Sequence, residues 1–124
     1  MTTLQTTLTY TMTGAEIVDA LNDNLANRLC PDYATKTASY TVTSDDQLLL
    51  CDATSGAITL TLPAASTMAG KSVTAMKVDS SGNAVTFDAD GSETINGSGT
   101  YALSSQYNKA QLFCDGSKWL IIHT

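Results

Sequence analysis

Positive charge is the scarcest commodity in this sequence. Its 124 residues hold six Lys and Arg against twelve Asp and Glu, a formal net charge of −6. Arg28, Lys36, Lys71, Lys77, Lys109 and Lys118 are scattered singly, whereas a phosphate-backbone binder needs clustered cations, so neither nucleic acid nor an anionic membrane is an expected partner. No stretch approaches the ~18–20 consecutive apolar residues of a membrane span. The opening Met1-Thr2-Thr3-Leu4-Gln5 has neither the basic nor the apolar region of a signal peptide. Aromatics are thin, at 6%.

Reactive side chains are equally sparse. The one histidine, His123, stands beside the C-terminus, and without a second His a nucleophilic triad has nothing to be built from. Cys30, Cys51 and Cys114 are odd in number and too far apart for a zinc knuckle or a C-x-x-C pair. They read either as buried, reduced thiols of a protein made in a cytoplasm or as partners in a bridge formed later, between subunits. Asp45, Asp46, Asp79, Asp88, Asp90 and Glu93 offer pairs of carboxylates, as glycoside cleavage needs. All six lie in turn segments, where Asp caps the backbone through its own side chain. Asp88-Ala89-Asp90-Gly91-Ser92-Glu93 has a faint calcium-loop look but lacks the third ligand and the bidentate Glu at loop position twelve. The expectation is a protein with no catalytic residues, no metal and no cofactor.

What the chain has in quantity is Thr and Ser, twenty and twelve residues. β-branched Thr suits a pleated, half-wet surface, and a shortage of Lys, Glu and Arg starves long helices. The composition predicts a mostly β protein.

Three zones follow along the chain. In residues 1–13, Leu4, Leu8, Tyr10 and Met12 alternate with Thr and Gln, the period-two pattern of a strand with one greasy face. No hairpin signal supplies it with a neighbour. Burying four such side chains does not offset the entropy of fixing some eleven backbones, so the segment reads as an attachment arm that borrows a sheet edge from another chain. In residues 14–37, Thr13 and Glu16 make a capping box ahead of Ile17, Val18, Leu21, Leu25 and Leu29, one apolar stripe of a short helix that Cys30-Pro31 ends. That stripe packs either on the core of its own chain or around an axis shared with sister chains. The rest of this zone, to residue 37, reads as a linker. Residues 38–124 are a train of short alternating runs separated by turns. Leu48-Leu49-Leu50-Cys51 reads as a run buried on both faces, Asp79-Ser80-Ser81-Gly82-Asn83 as a hairpin loop, and 63–70 as a connection with room for a helical turn. Seven to nine strands without intervening helices predict an antiparallel β-sandwich, jelly-roll-like knob or small barrel.

The ordered pieces of this third zone carry a resemblance. Tyr40-Thr41-Val42-Thr43, then Leu49 to Ala65, Gly70-Lys71, Val78 to Thr86, Gly91 to Gly97, Tyr101-Ala102-Leu103 and Asp115-Gly116-Ser117-Lys118-Trp119 together resemble a β-domain found at the ends of tailed-bacteriophage fibre and virion surface proteins. Thr13 to Leu21 is similar to a short helical motif of phage structural proteins. Cys51 and Cys114 depart from the pattern, which favours apolar or small residues there. The resemblance implies a homotrimeric, non-enzymatic virion component, made in the host bacterial cytoplasm and carried on the virion surface. With no long shaft in the chain, the expectation is a trimeric capsid decoration (cement) protein or short head fibre. Leu4, Leu8, Tyr10 and Met12 would dock on the major capsid protein, and Ile17, Val18, Leu21, Leu25 and Leu29 would pack the base of the trimer. The alternative is a small tail or baseplate fibre whose knob binds a host receptor.

Overall fold

The structure, a computed structural model, describes residues 33–124. Nine short strands fill it: β1 (Tyr33–Lys36), β2 (Tyr40–Thr41), β3 (Leu48–Cys51), β4 (Ile58–Thr61), β5 (Ser72–Lys77), β6 (Val85–Asp88), β7 (Thr100–Leu103), β8 (Lys109–Cys114) and β9 (Trp119–His123). The only helical element among the described residues is a 3-10 turn at Ala65–Thr67, inside the connection expected to hold one. The mostly β expectation is met.

The connectivity is not that of an antiparallel sandwich. From β1 to β6 successive strands alternate between two sheets, one ordered β1-β3-β5-β8-β9 and the other β2-β4-β6-β7. Pairs β1–β3, β3–β5, β2–β4 and β4–β6 are therefore parallel, and only β5–β8, β6–β7 and β8–β9 are antiparallel. Parallel neighbours need a crossover of a dozen or more residues, usually a helix. Here the crossover is a strand of the opposite sheet, which is how a helix-poor chain sustains parallel pairing. Residues 33–88 thus wind as a flattened coil, two strands to a turn, and β7 to β9 close it by antiparallel pairing.

Two further expectations change with this topology. Residues 33–36, read as linker, form a strand of the five-stranded sheet in register with Leu48–Cys51. Asp79–Asn83 is no hairpin loop, because β5 and β6 lie in different sheets.

The core lies between the sheets. The inner row Ala34–Leu49–Ala75–Ala110 of the larger sheet is mostly small, and the inner row Tyr40–Leu60–Phe87–Tyr101 of the smaller one is bulky. Such complementary rows hold two sheets near their usual ~10 Å separation without voids. Cys51 and Cys114 are buried, free thiols. Burial pushes the Cys51 thiol up to about 11, against a smaller opposing pull from Lys36. Asn96-Gly97 is the turn expected of that dipeptide. Both residues have positive φ, 48° and 85°, and Ile95 and Ser98 exchange backbone hydrogen bonds across it at 2.6 and 3.0 Å.

One charged group lies inside. Lys77 is fully buried on β5, and its Nζ donates to Asp79 Oδ2 at 2.7 Å and to the Asp79 carbonyl at 3.2 Å. Asp79 Oδ1 accepts from the Ala53 N–H at 2.7 Å, and Oδ2 accepts from the Ser81 N–H at 2.9 Å and from the Ser81 hydroxyl. Asn83 Nδ2 closes the set on the Ala53 carbonyl at 2.9 Å. One carboxylate therefore ties the β3–β4 crossover to the β5–β6 crossover. Burial opposes ionisation of Asp79, but the hydrogen bonds from Lys77, Ser81 and Ala53 outweigh it and hold the carboxyl well below the usual carboxylate range.

Removing the cation tests this arrangement. Lys77→Met is expected to destabilise the fold by about 3–5 kcal/mol, as the loss of one partner from a buried pair does, a fall in Tm of at least ~12 °C for a domain of this size. Because the folded-state pKa of Asp79 is depressed, its contribution is complete above an unfolded value near about 4 and is lost as pH falls below it. Thermal melts between neutral and acid pH should show that loss in the wild type and less of it in a Lys77→Met, Asp79→Asn double variant. Separately, a thiol reagent should label Cys51 and Cys114 only when denaturant is added.

Candidate functional site

The expected attachment residues Leu4, Leu8, Tyr10 and Met12, and the expected packing residues Ile17, Val18, Leu21, Leu25 and Leu29, lie outside the described residues, as does Cys30. The six carboxylates considered for catalysis lie inside, and three of them, Asp46, Asp79 and Glu93, accept from backbone N–H groups. Asp46 Oδ2 accepts from the Tyr40 hydroxyl and the Thr43 N–H, both at 2.8 Å. Glu93 accepts from the Ala65 N–H at 2.9 Å, and Asp79 is the buried tie described above. Asp115, at the β8–β9 turn, accepts from Lys118 Nζ at 2.9 Å and the Ser117 N–H at 2.9 Å. Lys118 holds its carboxyl well below the usual range. Among the described residues, no group of three His, Cys, Asp or Glu is placed to hold a metal, and no helix is long and apolar enough to cross a membrane. His123 is exposed at the end of β9.

Two surface features stand out instead. The first is a contrast between the outer faces of the two sheets. Strand alternation places Thr59, Thr61, Thr86, Asp88, Thr100 and Ala102 on the outside of the four-stranded sheet, a wet face of the kind a threonine-rich composition predicts. The outside of the five-stranded sheet is apolar. Leu48, Leu50, Met76, Phe113 and Leu120 are each half-buried there, beside Tyr33 at 67% exposure and Ile122 at 55%. Its other outward residues are Thr35, Ser72, Thr74, Lys109, Gln111 and His123. No carboxylate points from its strands, although the chain carries net −6. The expectation that Leu48–Cys51 is buried on both faces is thus met on one face only, since Leu49 and Cys51 point inward and Leu48 and Leu50 outward.

The second feature is a cleft of about 430 Å³ where β7 approaches the start of β8, lined by Tyr101, Ala102, Leu103, Tyr107, Asn108, Lys109 and Thr124. Tyr107 has φ of 68°, a left-handed conformation that costs an L-residue with a bulky side chain roughly 1–2 kcal/mol. Its neighbours hold it there. The Tyr107 N–H donates to the Lys77 carbonyl at 2.7 Å, and the Lys77 N–H donates to the Asn108 carbonyl at 2.9 Å. Ser105 and Asn108 bond reciprocally, Asn108 N–H to Ser105 carbonyl and Ser105 N–H to Asn108 Oδ1, both at 3.0 Å. Gln106 Nε2 donates to the Val78 carbonyl at 3.1 Å. This strained backbone leaves the phenol ring 65% exposed. Lys109 makes no ion pair among the described residues.

Sequence reasoning passed over the cleft. The available signal was a tyrosine in the otherwise polar run Ser104-Ser105-Gln106-Tyr107-Asn108, a place where a loop has no packing need for an aromatic ring. If strain is what the exposed ring imposes, Tyr107→Gly should raise stability by about 1 kcal/mol, because Gly takes positive φ without steric cost. A higher Tm in calorimetry would show it, and a lower Tm would show that the ring contributes packing. No protein-family profile matches this chain, and a search of curated proteins finds none similar to it.

Proposed function

We propose that this chain is a non-enzymatic, homotrimeric surface protein of a tailed-bacteriophage virion, acting as a capsid decoration protein or short head fibre. The arm of residues 1–13 would dock on the major capsid protein, and the β-knob would project from the head, stabilising or decorating it. The observation that carries the reading is the carboxylate-free apolar face of the five-stranded sheet. On a molecule of net −6, like-charge repulsion opposes approach of two copies over most of the surface, and a face without carboxylates is where that repulsion is least. Apolar residues at both parities of β3 then have an explanation: Leu49 and Cys51 fill the chain's own core, and Leu48 and Leu50 fill the interface with sister chains. The turns of the phage-like pattern are also turns of the fold, at Asp52–Gly56, Asn96-Gly97 and Asp115–Lys118.

The second reading, a small tail or baseplate fibre whose knob meets the host surface, is favoured by one feature, the cleft beside the strained Tyr107.

Analytical ultracentrifugation of the whole chain should give three times the 13.0 kDa chain mass. The double substitution Leu50→Glu, Met76→Glu should yield monomers with an unchanged far-UV spectrum, and Thr61→Glu on the wet face should leave the trimer intact. A monomeric wild type, or a trimer that survives the double substitution, would rule out this interface. Deleting residues 1–12 should abolish co-sedimentation with undecorated capsids while the knob stays folded and trimeric.

A further inference from the structure

We propose that Asn96-Gly97 is a site of spontaneous covalent modification, deamidating to aspartate and isoaspartate, and that the isoaspartate form uncovers the outer edge of β9. The inference concerns the knob alone and holds whether the protein sits on head or tail.

The turn that carries this dipeptide is what covers that edge. β9 pairs with β8 on one side. On the other side the segment 94–96 runs beside it, with Ile95 bridged in parallel to Trp119. The Trp119 N–H donates to the Thr94 carbonyl at 2.9 Å, and the Asn96 N–H donates to the Trp119 carbonyl at 3.0 Å. The Ile121 N–H donates to Asn96 Oδ1 at 2.9 Å. Asn96 thus holds the edge twice, once through its backbone and once through its carboxamide. Both bonds depend on the shape of the turn, which is set by positive φ at Asn96 and Gly97 and by the reciprocal Ile95–Ser98 bonds.

The same residues meet the requirements of deamidation. Asn96 is the only asparagine of the chain followed by glycine, and both residues are exposed, so water reaches the amide. The nucleophile is the Gly97 nitrogen, whose N–H has no acceptor among the described residues. The space beside Gly97 is open, with nothing within 4 Å of where a Cβ would stand, and a residue without Cβ lets its peptide swing toward Asn96 Cγ. The electrophile is already polarised. The Ile121 N–H is aimed at Oδ1, the oxygen on which charge develops as the tetrahedral intermediate forms. Gly97 N bonds to Cγ, its proton passes to the amide nitrogen, and the Cγ–Nδ2 bond breaks to release ammonia. Water then opens the cyclic imide. Attack at Cγ restores the main chain with an aspartate; attack at the backbone carbonyl carbon leaves the main chain running through Cγ, as isoaspartate. Either product adds a negative charge to a chain already at −6. Aspartate still offers Ile121 an acceptor oxygen. Isoaspartate lengthens the main chain by a methylene inside a two-residue turn whose dihedrals are fixed, so the turn and its bonds to β9 are lost. The edge of β9 then becomes an open ladder for another strand.

The test keeps the whole chain at physiological temperature in neutral and in alkaline buffer, with a synthetic peptide of residues 92–100 as the unstructured reference. Peptide mapping by mass spectrometry, with fragmentation that tells isoaspartate from aspartate, is expected to find both at position 96, sooner than at any other asparagine. The rate should lie within about tenfold of the peptide's and rise in the alkaline buffer, where the Gly97 nitrogen loses its proton more readily. The isoforms are then separated by chromatography and followed by hydrogen exchange. In the isoaspartate isoform the Ile121 amide should exchange at least about tenfold faster than in the unmodified chain. In the aspartate isoform and in an Asn96→Asp variant it should exchange as in the wild type, which separates the lengthened backbone from the added charge. Conversion of the peptide but not of the folded chain, aspartate without isoaspartate, or an isoaspartate isoform with Ile121 still protected would each overturn the inference. None of these outcomes bears on the trimer, whose test is the sedimentation of the unmodified chain.

Discussion

The ion pair of Lys77 and Asp79 is the constraint on which both the coil and its cleft depend. A coil built from four-residue strands has little ladder in each turn, so its stability rests on how firmly successive crossovers are held. Asp79 holds two at once, accepting from Ala53 in the β3–β4 crossover and from Ser81 in the β5–β6 crossover. Lys77 neutralises that carboxylate at 2.7 Å inside the protein. Ion pairs of this kind are weak sources of net stability and are better understood as devices that fix one arrangement among alternatives. Here the alternative is concrete: a Ser80-Ser81-Gly82-Asn83 segment free to close a local hairpin between β5 and β6. Drawing Asp79 inward onto Lys77 carries the chain across to the other sheet. The main chain of the same lysine takes the Tyr107 N–H and gives its own N–H to Asn108. The side chain of Lys77 thus fixes the crossovers, and its backbone fixes the strained residue of the cleft.

The two outer faces divide the remaining work. A sheet face covered by threonine keeps water at every row and gains nothing from a partner. A face carrying Leu48, Leu50, Met76, Phe113 and Leu120 gains by being covered, since each such side chain still has area to remove from water. Single exposed apolar residues are ordinary on any protein, but here Tyr33, Leu48, Leu50 and Met76 adjoin across β1, β3 and β5, with Thr74 and Gln111 between them and the Phe113–Leu120 pair. Among the described residues, carboxylates lie in turns at the ends of strands or on the wet sheet, which leaves the apolar face as the approach with least repulsion between copies.

Much of this was legible in the sequence. Period-two patterns located the strands from Tyr40 onward, and 63–70 announced its helical turn. What alternation cannot carry is the identity of the neighbour: it says which face of β3 is inward, and nothing about whether β5 or β4 lies beside it. That is why a run of strands without intervening helices was read as antiparallel, the strand-built crossover leaving no compositional trace. Asp79 was read as a turn-former because Asx turns and buried ion pairs draw on the same residue, and only the fold brings Ala53 to it from 26 positions away. Leu48-Leu49-Leu50 was read as buried on both faces, and the structure buries Leu49 and Cys51 while leaving Leu48 and Leu50 on the outer face. Tyr107 left a trace in the sequence, but its significance lies in φ, which no pattern of residue types displays.

The proposed association through a face rather than an edge fits how the sheets end. An exposed strand edge is an open ladder that invites pairing with any other chain. In the four-stranded sheet one edge is β2, only two residues long, too short a template to hold a partner strand. The five-stranded sheet ends on one side in β1, four residues long, where Lys36 lays its ammonium over the Tyr40 ring at 3.6 Å from the centroid and so places charge along that edge. On its other side it ends in β9, whose pairing to β8 is interrupted by an irregularity between Gln111 and Leu112, and a bulge twists an edge away from straight pairing. The four-residue β7 is the remaining edge, and there the cleft with Lys109 at its rim stands beside the ladder. With three edges short, charged or bent and the fourth flanked by the cleft, the outer face of the five-stranded sheet is the surface that the proposed trimer would use.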